Sequence, residues 1–436
     1  MLGDRSVNYW VTAIATQASD MGAWLFVGLP AAVFVGGVFQ AWIALGLIVG
    51  MYLTWVFIAP KLRIATEQHQ SLTLPSYFAH RFNDTSGALQ LTSSSLSLLF
   101  FTFYISASLV GLSLMFEYAF GISPQLGMFL SLATAVLYTL IGGFVAIAWC
   151  DLFQGIFLLF MIMLVPIKAF FMLPNGITDI IEAAQKDSKS LSILGSPKEM
   201  LSAIILAAGW GLGYFGQPHI LMNFMGIDDV KKMVHAKRVG MTWQILVLTA
   251  AVSVGIVSIG FFANTPVDKQ LVFVVSTMQL FHPFIAGLIL CAIIAATLST
   301  ADSLILAAGS TIAEDIYKKW WQPNASSHTT LWISRAGSTI ISLIALAIAF
   351  RNDSSVHNLV NYAWAGLGSS FGPLIITSLY AKNITHTGAL CGMIAGGLTS
   401  AFWPHTPWFI YLAEPLVPGF FIGLGTIFII SHITTK

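Results

Sequence analysis

Between Ser6 and Pro60 the chain carries one charged residue, Asp20. Long apolar runs of this kind recur to the end of the sequence, separated by short polar stretches that hold most of the charge. Polar and apolar residues do not alternate within the runs, so they read as helices and not as strands. About 20 residues cross the roughly 30 Å of a bilayer's hydrocarbon, and there only helices and closed barrels satisfy their own backbones. Twelve runs are long enough: 8–36, 39–60, 86–117, 124–144, 147–173, 199–225, 236–263, 283–315, 330–351, 355–380, 385–403 and 408–432. The pattern predicts an all-α polytopic membrane protein of about twelve transmembrane helices. The stretch 61–85, with "TLPSYFAHRF", reads as a loop holding a short helix, and 174–198 as the largest polar loop.

Two runs carry helix-weakening residues at mid-depth. In the first, Asp20 stands beside Gly22, upstream of Gly28 and Pro30. In the sixth, Gly211, Gly213, Gly216 and Pro218 crowd about two turns, a poor composition for a continuous helix. The two breaks stand five runs apart, in the first helix of each set of five, and an odd number of spans inverts the second set relative to the first. The expectation is a five-plus-five inverted repeat with binding at the broken helices. Residues 1–380 form this core (helices 1–5 over about 8–173, helices 6–10 over about 199–380), and 381–436 add two further helices. Close helix packing is the alternative use of such glycines.

Composition supports the membrane reading. Hydrophobic residues make up 57% of the chain and charged residues 8%, against about 25% charged in soluble domains. A net charge of +1 leaves no basic field for nucleic acid. Cys150, Cys291 and Cys391 suit neither a disulfide framework nor a zinc site and read as buried, inert thiols. The opening run is too long for a secretory signal. With both termini cytoplasmic, thirteen of the nineteen Lys and Arg residues fall at inner ends, as the positive-inside rule requires. The location expected is the cytoplasmic (inner) membrane.

The chemistry is sought at the breaks. An unwound helix frees carbonyl oxygens that suit Na⁺, here those near Ala18 and Met21. The eighth run offers a facing set: Ala296, Ser299 and Thr300 stand at i, i+3, i+4, hence on one face. A hydroxyl that simply bonds its own i−4 carbonyl is the plain alternative, but Ser299, Thr300, Asp302 and Ser303 cluster. Intramembrane carboxylates are costly and usually functional; Asp20, Asp151 and Asp302 are the deep ones and the candidates for ion coupling. Asp151 stands at the start of the fifth run, where helix capping is the competing role. Glu117, Glu314 and Asp315 lie near run ends, where solvation is expected. Trp210, Tyr214 and Pro218, at i, i+4, i+8, either pack or wall a pocket. Trp24 and Gly28, on the first broken run, join this substrate group, and Gln217, inside the Gly/Pro turn, is a further candidate.

At these residues the sequence resembles the sodium/solute symporter family, in particular its sodium/proline symporters. The likeness runs almost end to end, through "WVTAIATQASDMGAWLFVGLP" (10–30), "SLTLPSYFAHRF" (71–82), "YTLIGGFVAIAWCDLFQG" (138–155), "GWGLGYFGQPHIL" (209–221), "VHAKRVGMTW" (234–243), "LSTADS" (298–303) and "YAWAGLGSSFGP" (362–373). It implies a leucine-transporter-like fold, a Na⁺ site at Ala18, Met21, Ala296, Ser299 and Thr300, a need for Asp20 in coupling, and a proline site lined by Trp210, Tyr214 and Pro218. It also marks Arg5 and Asp151. The function implied is Na⁺-coupled import of L-proline with no enzyme chemistry, no transition metal and no organic cofactor. The family pattern departs from this chain at three points. A further helix is expected ahead of the residue that opens it. Serine is expected where Gly22 stands. Arginine is expected at Asn223 and an uncharged residue at Asp302. Two other readings stay open: Na⁺- or H⁺-coupled symport of another small amino acid or carboxylate, and a non-transporting solute sensor.

Overall fold

The computed structural model describes residues 2–194, 197–263, 265–351, 355–406 and 413–435. The helices in chain order are α1 (Tyr9–Ala18), α2 (Leu29–Gly36), α3 (Ala41–Leu53), α4 (Ala59–Gln68), α5 (Leu74–Arg81), α6 (Ala88–Phe120), α7 (Pro124–Phe171), α8 (Ile177–Lys186), α9 (Pro197–Gly211), α10 (Pro218–Met225), α11 (Met233–Phe261), α12 (Val272–Leu280), α13 (Pro283–Ser310), α14 (Lys318–Trp320), α15 (Ser327–Ala349), α16 (Val356–Tyr380), α17 (His386–Phe402) and α18 (Leu416–Thr434). Eight continuous helical stretches of the described residues are long and apolar enough to cross a membrane.

Both predicted breaks are present. The first run ends α1 at Ala18, resumes with a π turn at Trp24–Gly28 and continues as α2. The sixth passes from α9 through a 3₁₀ turn, Leu212–Gly216, to α10, and Gln217 between them is extended (φ −93°, ψ 101°). Trp210, Tyr214 and Pro218 therefore do not share one helical stripe. The fourth and fifth runs meet at Gly143, whose φ of 65° and ψ of −177° interrupt α7; such a backbone suits only glycine.

Several boundaries move. The second run continues through a π turn at Thr54–Ile58 into α4, so most of the stretch read as a loop from 61 is helical. The short helix expected there is α5, capped by Thr73, whose hydroxyl accepts from Ser76 N–H. The large polar loop contains α8, which lays Ile180, Ala183 and Ala184 on Val257 and Ile259. Helix α12 occupies the stretch between the seventh and eighth predicted runs and sets Phe273 edge-on to Phe26 at 5.3 Å. The expected run 408–432 begins in 407–412, outside the described residues, as does Lys436.

Glycines let helices approach to backbone contact. A Cβ on Gly46 or Gly50 of α3 would lie 2.1 Å from the carbonyl oxygen of Ala207 or Gly211 on α9. On α17, Gly392 and Gly396 meet Gly423 and Gly419 of α18 in the same way. Both described chain ends reach one end of the bundle: Arg5 bonds Ser71 O at 3.1 Å, His386 lies 3.0 Å from Asp84, and Thr434 Oγ1 is 2.6 Å from Thr385 Oγ1. The thiols differ from expectation: Cys291 is exposed on the outer face of α13, and Cys150 and Cys391 are half-buried. Exposure there is exposure to lipid, which an apolar thiol tolerates.

Candidate functional site

The two breaks face each other. Tyr214 Oη donates to Asp20 Oδ2, joining the second break to the first. Gln244 Nε2 on α11 donates to Tyr214 Oη at 3.0 Å. Trp24 Nε1 donates to the Asp20 carbonyl at 2.8 Å, and the rings of Trp24 and Trp210 stand 6.0 Å apart. Asp20 is completely buried, and its Oδ1 has no partner among the described residues. Its side chain thus ties the two unwound segments together and does not point to α13.

The carbonyl of Ala18, at the end of α1, does meet α13. Thr300 Oγ1 lies 3.3 Å from Ala18 O and 3.4 Å from Ala296 O. Oxygens spaced this way match neighbouring ligands around a hard cation with bonds of roughly 2.4 Å. Gly22 seals the contact, since a Cβ there would come 2.9 Å from Thr300 Oγ1. Ser299 is turned aside, donating to Asp151 Oδ1 at 2.5 Å. The buried Met21 has no contact with α13 among the described hydrogen bonds; its N–H donates to Gln17 O at 3.2 Å.

Asp151 lies well inside the second half of α7, fully buried, which removes the capping role. Asp302 is buried one turn beyond Ser299, and neither of its carboxylate oxygens has a partner among the described residues. Asp315 is a correction too. It is fully buried instead of solvated, accepting from Thr73 Oγ1 at 2.8 Å and Gln90 Nε2 at 3.0 Å; the helix continues past the predicted end as a π turn, Thr311–Tyr317.

Above the breaks a cavity of about 450 Å³ is bounded by Gly28 and Ala31 on one side, Trp210 on the other, and His357 and Asn358 of α16. A volume of roughly 300–1,000 Å³ is usual for small-molecule sites. Trp210 stands at this boundary, while Tyr214 is sealed beneath it. Gln217 Nε2 donates to Trp364 O at 3.1 Å, and Trp364 Nε1 donates to Trp210 O at 3.0 Å, so α16 holds the second break in shape. Pro218 opens α10 at its first position, where its missing N–H costs nothing. Arg5 is far from this centre. It bonds Met225 O at 2.9 Å, at the carbonyl end of α10, where a cation is favoured.

Sequence reasoning missed Gln244, Trp364 and His357. Gln244 carried a signal, an amide within the apolar run "WQILVL". The other two are recognisable only through what they touch.

The description "sodium:solute symporter family" matches residues 1–396. The sodium/proline symporter of Salmonella typhimurium is 40% identical over 99% of this chain and 87% of its own length. The high-affinity proline transporter PutP of Bacillus subtilis is 38% identical over 100% of this chain and 92% of its own. A solved Na⁺-coupled sialic acid symporter, in a substrate-bound outward-open state, superposes with a TM-score of 0.82 at 17% identity, covering 99% of this chain and 91% of the other. That likeness shows the fold, the leucine-transporter-like arrangement of helical symporters.

Proposed function

The chain belongs to the sodium:solute symporter family, and from that premise we propose that it imports L-proline with Na⁺ across the cytoplasmic membrane. The observation that carries the ion site is the meeting of Ala18 O, Ala296 O and Thr300 Oγ1 across the first break. Met21 O and Ser299 Oγ complete the set once Ser299 leaves Asp151. Asp20, Asp151 and Asp302 supply the negative potential. The substrate sits between Trp24, Gly28, Trp210, Tyr214 and Pro218, with Gln217 holding the turn, and residues 381–436 buttress the 1–380 core from outside the repeat.

Na⁺ binding draws α1 onto α13 and orders the first break. Asp20 and Tyr214 carry that order to the second break, so each ligand raises the affinity for the other. One charge crossing about 100 mV yields about 2.3 kcal/mol, enough for a concentration ratio on the order of 50. The Lys and Arg distribution supports a cytoplasmic placement of both termini. Arg5, bonded to α10 and Ser71, then closes the inner end.

Radiolabelled L-proline uptake into proteoliposomes, with and without an inward Na⁺ gradient, tests this reading. Accumulation that requires Na⁺ is expected; accumulation driven by a pH gradient without Na⁺ would replace the coupling ion. A specific observation favours a second substrate. Gly22 stands where the family resemblance expects serine, so a hydroxyl is missing beside the ion site. Competition of the uptake by other small amino acids and carboxylates separates the two.

A further inference from the structure

At the end of the bundle that holds the amino-terminal segment, a pocket of about 240 Å³ lies between α4, α5 and the end of α16. Three basic residues line it: Lys61, His69 and Arg81. A fourth, His80, stacks on His69 with ring centroids 6.4 Å apart and planes inclined by 8°. Among the described residues no carboxylate lines this pocket. Glu67, the acidic residue of α4, is engaged by Arg63 at 2.8 Å. Burial, with His80 and Arg81 close by, holds the His69 imidazole below its ordinary value, as expected for cations gathered without a counter-ion.

The pocket is built, and it sits at a lipid boundary. Arg81 is fixed by Nε to Ser378 O at 2.8 Å and Nη2 to Ala381 O at 3.0 Å, leaving Nη1 for a ligand. Lys61 Nζ lies 3.6 Å over the Tyr380 ring, and Tyr380 Oη donates to Phe57 O at 2.8 Å. Phe57, Ile64 and Tyr380 are exposed around it. An interfacial tyrosine and a snorkelling lysine mark headgroup depth, and the apolar neighbours offer a track for acyl chains.

We infer that this pocket binds the phosphate of an anionic phospholipid headgroup. Lys61 and Nη1 of Arg81 take the phosphate oxygens, His69 donates a further hydrogen bond, and the chains lie along Phe57 and Ile64. Basic pockets between membrane helices on the cytoplasmic side are suited to such headgroups.

Native mass spectrometry of the full chain in detergent tests this, with phosphatidylglycerol or phosphatidylcholine of the same acyl chains titrated in. Phosphatidylglycerol is expected to be retained preferentially. Lys61→Gln is expected to weaken that retention roughly fivefold, the worth of one basic residue near a lipid surface, and Lys61→Gln/His69→Gln to weaken it further. Lys61 is exposed, so its replacement leaves the fold intact. Arg351→Gln, outside the pocket, is expected to change nothing. Equal retention of the two lipids, unchanged binding by Lys61→Gln, or an equal loss with Arg351→Gln would each overturn the inference. Excess inorganic phosphate separates the sources: if it displaces the lipid and binds in its absence, the site serves free phosphate and the lipid assignment fails.

Discussion

Thr300 links two helices through a single hydroxyl. It sits between two backbone carbonyls that belong to different helices, so removing it unties α1 from α13. Thr300→Ala and Asp20→Asn are each expected to raise the Na⁺ concentration for half-maximal proline uptake on the order of tenfold, the scale of one hydrogen bond to a charged group. Na⁺ titration of initial rates reads this, and an unchanged Na⁺ dependence in both variants would remove the proposed site. Gly22→Ala probes the same contact from the other side. Its Cβ would press on Thr300 at 2.9 Å without adding an oxygen, so weaker Na⁺ activation is expected with expression unchanged. That Ala18, Ala296 and Thr300 stand together was legible in the sequence, because carbonyls at a break and hydroxyls at i, i+4 are local properties. It could not orient Ser299 or Asp20. Ser299 faces Asp151, a residue 148 positions away, and Asp20 faces Tyr214 at a separation of 194. Such partners follow from which helices become neighbours.

At the scale of elements, glycine spacing sets how closely helices pack. Gly46 and Gly50 of α3 each leave room for an α9 carbonyl, with no hydrophobic effect between helices in lipid to help. Gly50→Leu is expected to separate α3 from α9 and destabilise by about 1–3 kcal/mol, the usual cost of overpacking. A lower melting temperature of the detergent-solubilised protein, beside a lipid-facing control such as Val49→Leu, checks this. The two interrupted helices were legible because Gly and Pro clusters are local signals. The extents of α4, α8 and α12 were not. Those segments are too polar or too short to register as spans, and they become helical by packing Ile180 on Val257 and Phe273 on Phe26.

Over the whole molecule, both described ends of the chain gather at one end of the bundle. A fluorescent reporter fused to the carboxyl terminus is therefore expected to mature in the cytoplasm, and a phosphatase reporter there to stay inactive; the reverse would invert the proposed orientation. The same end carries a contact between the last helices and the core. Asp84 is buried, which raises its proton affinity, but hydrogen bonds from Gln90 N–H and Ser86 Oγ and the nearby His386 outweigh that and hold it below the ordinary 3.8. Its stabilisation is then fully present above that ordinary value and is lost as pH falls through the lower, folded-state value. Asp84→Asn is expected to lower the melting temperature at neutral pH, with the gap from wild type closing in strong acid; a gap independent of pH would sink the argument. The amino-acid sequence by itself determined that this is a helical membrane protein broken in two places, and it marked the family, because hydropathy, Gly/Pro clusters and residue spacing act along the chain. Only the tertiary structure decided that the breaks face each other through Asp20 and Tyr214, that α16 holds the second one through Trp364, and that Lys61, His69 and Arg81 converge on one pocket. Those contacts join residues tens to hundreds of positions apart, and the packing of the helices against one another brings them together.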